Sequence, residues 1–268
     1  MVFVAGLPGT GKSLVIRELA RIADAQDRAV HTLQWDVARP AFEAAPAGRR
    51  YPVDEGVTHV VIRKAAGLWV REAVTSWHRA HPGANAVLVG EAPLAGGRFI
   101  ELARTIDDAA EPLLAAESCR FVIPVPSRDV RAFIEAERDR RMAGPHHPRE
   151  REDAPPHVLR ALWDELVSVA RTLGIAGAAE RGGAVPYDPS IYEGVYRSVL
   201  ARRHTDTLPL TRVLPTAGVS VYEMGVPTVD IVPSADEADR AIRTAEAAYP
   251  DPGRLTAEAQ RWYDPLPP

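Results

Sequence analysis

An α/β fold with a mostly parallel sheet is what this sequence predicts, and three observations carry the prediction. Short apolar runs recur at residues 2–5, 86–89 and 121–125, the pattern of strands buried on both faces of a parallel sheet, and 30–35 reads as a further strand. Between them lie longer stretches whose apolar residues repeat at helical spacing, so strands and helices alternate as crossover units. The 268 residues, 46% hydrophobic and 25% charged, suffice for one large domain of this kind.

In chain order, residues 2–5 form the first strand. Leu14, Val15, Leu19, Ile22 and Ala23 then mark a helix over 12–26, which leaves through the polar stretch 24–28. A second strand at 30–35 ends at Asp36. A long helix over 60–77 is stopped by His81, Pro82 and Gly83, and a third strand at 86–89 ends in Gly90 and Glu91. A helix over 98–110 leads to the fourth strand, 121–125, followed by an arginine-rich helix over 129–142. Prolines 145, 148, 155 and 156 surround a charged cluster within 143–156, which reads as a mobile surface excursion. Helices over 156–173 and 191–203 follow, separated by a loop through Gly182 and Gly183. The remaining stretch offers short strands at 211–214, 219–222 and 228–232 and a helix over 235–248 that Ser234 caps. Residues 1–205 are thus expected to form the main domain and 206–268 a small C-terminal extension.

Composition narrows the function. A net charge of −4 lacks the basic footprint of a dedicated nucleic-acid binder. The single cysteine, Cys119, makes neither an internal disulfide nor a cysteine zinc cluster, and reads as a small buried hydrophobe. No apolar stretch reaches membrane-spanning length, and the sequence opens directly in a strand, so no membrane association and a cytoplasmic location are expected. Basic residues are nearly all arginine, the two lysines being Lys12 and Lys64. A compact ammonium kept where arginine serves elsewhere suggests a site that a planar guanidinium does not fill.

Lys12 lies in Gly6, Leu7, Pro8, Gly9, Thr10, Gly11, Lys12, Ser13, a full match to the Walker A pattern, with a strand before it and a helix after. Such glycines let the backbone turn its N–H groups onto phosphate oxygens, and the following helix N-terminus adds partial positive charge. Gly6, Gly9, Thr10, Gly11, Lys12 and Ser13 are therefore the expected ATP-binding set. Lys12 would reach the β and γ phosphates and Ser13 would ligate Mg2+.

Neither DxxG nor NKxD occurs, the only asparagine being Asn85, and no strand ends in the paired acids of ring and motor ATPases. The chain resembles instead the P-loop small-molecule kinases of the P-loop NTPase superfamily, the broad group of nucleoside, shikimate, gluconate and antibiotic kinases. That resemblance covers about the first 200 residues and implies a three-layer P-loop fold with a helical lid. It further implies transfer of the γ-phosphoryl group of ATP to a hydroxyl of a small-molecule acceptor.

In these kinases an acidic residue at the end of the second strand holds the acceptor, which places Asp36 as the base, while Arg39 would pair with an anionic group on the acceptor. A strand-end turn or helix cap accounts for an aspartate at that position equally simply. Glu91 resembles the acidic strand-end residue of nucleoside and pantothenate kinases, which implies a hold on a magnesium-bound water or on the acceptor, though a non-catalytic loop residue accounts for it as well. The arginines from Arg128 to Arg141, with the excursion to about residue 156, match a lid in order, and Arg138 and Arg141 are its candidates for stabilising transferred charge. Glu135, Glu137 and Asp139 interleave with them as in an ordinary solvated helix. His146, His147 and His157 lack ligand spacing and read as solvated loop residues, and Trp35, Trp69 and Trp77 as core. The other reading of the whole chain is an ATP-binding switch or scaffold acting on a partner protein through residues 206–268.

Overall fold

The computed structural model describes residues 1–54, 56–83, 85–175, 185–214, 216 and 218–264, with only the backbone of Glu152. The loop expected through Gly182 and Gly183 lies outside the described residues. The elements are β1 (Val2–Ala5), α1 (Lys12–Asp24), β2 (Ala29–Leu33), α2 (Trp35–Ala44), α3 (Val60–Ala80), β3 (Ala86–Ala92), α4 (Glu111–Leu114), β4 (Arg120–Pro126), α5 (Arg128–Ala143), α6 (Pro156–Thr172), α7 (Pro189–Val199), β5 (Thr205–Leu210), β6 (Thr228–Asp230), α8 (Ala235–Ala248) and α9 (Pro252–Gln260). The six strands form one sheet in the order β5-β4-β1-β3-β2-β6, parallel at every pairing.

Alternation along β1 divides the core. Val4 faces α1 and packs with Val15, Ile16, Ala20, Val30 and Val89, while Phe3 and Ala5 face the larger cluster that includes Leu33, Leu88, Trp69, Tyr196 and Ile242. The continuous apolar runs follow from burial on both faces. Trp35, Trp69 and Trp77 are all buried, as is Cys119, whose thiol burial pushes up to about 11.

Several elements differ from the sequence reading. Residues 98–110 are not a helix: two short 3-10 turns occupy 95–97 and 100–102, with Phe99 at φ 56. The apolar residues there are buried as a loop. Arginine side chains satisfy its carbonyls: Arg71 donates to the oxygens of Glu101, Arg104 and Ile106, and Arg203 to those of Leu102 and Arg104. The second strand stops at Leu33 and α2 begins at Trp35, with Pro40 inside it.

Neither 211–214 nor 219–222 is a strand. The strand lies earlier, at β5, where alternating half-exposure and Pro209 suit a sheet edge. The excursion after α5 is pinned: His147 caps a 3-10 turn (Pro148–Glu152), and the buried Glu150 accepts from Ser220 and from the backbones of His146 and His147. Residues 206–268 supply both edge strands and two helices to the same molecule, α8 lying along α3.

Candidate functional site

Strand β1 sits where the chain reverses its direction of growth across the sheet, with β3 on one side and β4 on the other. Crevices in parallel sheets open at the carboxyl ends of strands at such a point. The glycine loop leaves β1 there and enters α1 at Lys12.

Gly9 and Gly11 take left-handed backbone, φ 75 and 88, and Gly11 stands at the N-cap of α1 without a side-chain cap, so the first-turn N–H groups are free to meet an anion. At Gly6 the requirement is proximity, since a β-carbon would lie 2.2 Å from the Tyr192 hydroxyl. The buried Thr10 hydroxyl donates to the Leu7 carbonyl at 2.8 Å, and Lys12 Nζ donates to the same oxygen at 3.0 Å. The lysine therefore folds back over its own loop. Ser13 follows it in the first turn of α1.

Glu91 lies within β3, paired in register with Val4 of β1, which aims it at the loop. Its Oε1 is 3.4 Å from Lys12 Nζ, and its Oε2 accepts from the Trp35 backbone N–H at 3.3 Å. Burial pushes the Glu91 carboxyl up and the Lys12 ammonium down, while the charge of each draws the other back. Asp36 is exposed in the first turn of α2, and its charge is felt at Lys12, Glu91 and Arg98. The structure thus brings Lys12, Glu91 and Asp36 to one end of the sheet. Arg39 is held by Glu43, one turn on, at 2.8 Å.

Helix α5 lies against the glycine loop, with Ile134 Cδ1 3.9 Å from where a β-carbon of Gly11 would stand. Arg138 is close enough for its charge to oppose that of Lys12, and it pairs with Asp153, which also accepts from the Tyr222 hydroxyl at 2.6 Å. Arg141 is taken up by Glu137 and His146. Two further arginines stand near the site, Arg131 of the same arginine cluster and Arg149, neither of them nominated from the sequence for a role. Arg131, almost fully buried, donates to the Pro8 carbonyl at 2.9 Å and lies 5.4 Å from the centre of the Tyr187 ring. Arg149 donates to Gln34 Oε1 at 3.1 Å, lies over Tyr222, and its charge is felt at Glu91. The signal for Arg131 was available: it lies in the first turn after β4, the neighbour of β1. That for Arg149 was not, because it depends on how the proline-rich segment folds back.

Compared with protein-family models, curated proteins and solved structures, the chain matches none. Among the described residues no group of three or more His, Cys, Asp or Glu side chains converges as a metal site, and no helix is long and apolar enough to cross a membrane.

Proposed function

We propose that this chain is a P-loop kinase that transfers the γ-phosphoryl group of ATP to a hydroxyl of a small molecule. The observation that carries the reading is the strand–loop–helix turn of residues 6–13, with Lys12 folded over the loop beside Glu91 and with Asp36 on the same rim of the sheet. Free amides at Gly11 and the first turn of α1 suit phosphate oxygens, and Lys12 supplies a point charge between them.

A magnesium ion would be held by the Ser13 hydroxyl and by Glu91, and would supply positive charge to offset that of the phosphates. Both Glu91 oxygens already have partners, one Lys12 and the other the Trp35 amide, which favours contact through water. Asp36 orients the acceptor hydroxyl and takes its proton as the oxygen bonds to the γ-phosphorus and the bond to the β-phosphate oxygen breaks, releasing ADP. Arg138 faces the charge of the transferred group. Arg131 holds the loop in place through Pro8.

The test separates binding from transfer. Lys12→Ala is expected to abolish binding of a fluorescent ATP analogue. Asp36→Asn is expected to retain that binding while acceptor-dependent ADP release falls about 100-fold or more, the lower range for loss of a general base. Wild-type transfer by the Asp36 variant would remove the base assignment, and unimpaired ATP binding by the Lys12 variant would remove the nucleotide site.

A further inference from the structure

Most buried or half-buried arginines here meet a carboxylate: Arg71 meets Asp108 and Glu111, Arg203 meets Glu111, Arg138 meets Asp153 and Arg104 meets Glu258. Arg63 and Arg98 do not. Arg63 stands in the first turn of α3 and Arg98 just after β3, and their guanidiniums converge on one point. Their Nη1 atoms lie 3.2 and 3.4 Å from where a β-carbon of Gly96 would stand.

Each is steadied by a single carbonyl, Arg63 by that of Gly96 and Arg98 by that of Ala95, and the Nε of Arg63 is buried without a hydrogen-bond partner. Among the described residues neither guanidinium lies within ion-pair distance of a carboxylate. Burial, then the neighbouring Arg98 charge, lowers Arg63 to about 10, and burial lowers Arg98 as well. Two like charges half out of water, with donors to spare, form a site that an anion would stabilise.

The surrounding charges give the pair a direction. Asp36 on α2 is felt at Arg98 and also at Lys12, and the ring of its neighbour Trp35 packs edge-on against that of Phe99, the residue after Arg98, with centres 5.2 Å apart. Glu165 on α6 is felt at both arginines, but its Oε1 accepts from Trp262 Nε1 at 2.8 Å. The Asp36 carboxylate thus lies within reach of the charge both of Lys12 on the loop and of Arg98 after β3. Arg39, the sequence's candidate for an anionic acceptor group, is spent on Glu43.

We infer that Arg63 and Arg98 bind an oxyanion carried by the phosphoryl acceptor, so that the substrate class is a small hydroxylated molecule bearing a phosphate or a carboxylate. The inference rests on the kinase reading for the position of the hydroxyl. A planar guanidinium pair suits either oxyanion through parallel N–H donors.

The experiment keeps the glycine loop filled with the Mg2+ complex of β,γ-imido-ATP, so that its own phosphate positions are occupied, and titrates inorganic phosphate in one arm and malonate in the other. Wild-type protein is expected to bind at least one of the two, and Arg63→Met and Arg98→Met each to weaken that binding about tenfold or more, the loss of one charged hydrogen-bonding partner. Arg63→Lys should recover part of it. The arm that responds tells phosphate from carboxylate. Affinity for the imido-ATP within about threefold of wild type reports that the variants are folded. No binding of either anion, or binding untouched by both Met substitutions, would overturn the inference. Failure of the wild type to bind imido-ATP would instead overturn the kinase reading.

Discussion

Lys64, the second of the two lysines, sits in the interior on α3. Its ammonium lies 3.0 Å from Glu101, whose carboxylate is fully buried, and 2.9 Å from Glu258 on α9. Burial works against that charge, but the two carboxylates outweigh it and hold Lys64 above its usual range. A compact ammonium serves two carboxylates from one point, where a planar fork would need more room. Lys64→Met leaves Glu101 beside an apolar chain with Arg104 left to balance Glu258, and should lower unfolding stability by roughly 3–5 kcal/mol in urea titrations. A loss below about 1 kcal/mol would show that the cluster behaves like a surface pair. The scarcity of lysine made Lys12 conspicuous because a motif surrounded it. For Lys64 the sequence held the same hint with no partners in view, since Glu101 and Glu258 lie 37 and 194 positions away along the chain.

At the scale of elements, β1, α1, α3, β4 and α8 follow directly from apolar spacing and from caps such as Ser234, whose hydroxyl and Glu237 form a capping box. The segment between Arg98 and Leu114 was illegible for a specific reason: its backbone is satisfied from a distance by Arg71 and Arg203, which no local pattern encodes. The same two arginines meet at Glu111, Arg203 at 2.7 Å and Arg71 at 3.0 Å. Burial would raise that carboxyl, but the arginine hydrogen bonds prevail and hold it below its usual value of 4.5.

A carboxyl depressed on folding contributes stability that is complete above its unfolded titration and is lost as pH falls through the folded one. Glu111→Gln should therefore be less stable than wild type at pH 6, with the gap closing as pH drops below about 4.5. Thermal unfolding midpoints across that range check it. A gap that stays constant with pH would mean that packing, not charge, joins α4 to its neighbours. Helix α2 was hidden differently, because its start at Trp35 directly continues the segment 30–35 that reads as strand. Asp36 accordingly occupies a helix first turn, where a carboxylate is favoured by the helix dipole as well as by any acceptor.

Over the whole molecule, the sheet is closed on both sides by the last quarter of the chain. β5 covers the outer edge of β4, β6 covers that of β2, Arg17 of α1 donates to the Glu223 carbonyl at 2.8 Å, and Trp262 and Ile242 enter the core. A chain ending at residue 205 should therefore aggregate or lack a cooperative unfolding transition by circular dichroism, whereas an independently stable 1–205 unit would unfold sharply. The sequence suggested an appendage there because edge strands are short and half-exposed, and so carry the weakest pattern. The pairing also has a consequence in time. Thr32 of β2 bonds to Asp230 of β6 across 198 positions. At about 5–20 residues per second of translation, β2 waits roughly 10–40 seconds with its outer amides unclaimed. During that interval the outer edge of β2 is an unpaired ribbon, and synthesis must pass Asp230 before the molecule can shield it.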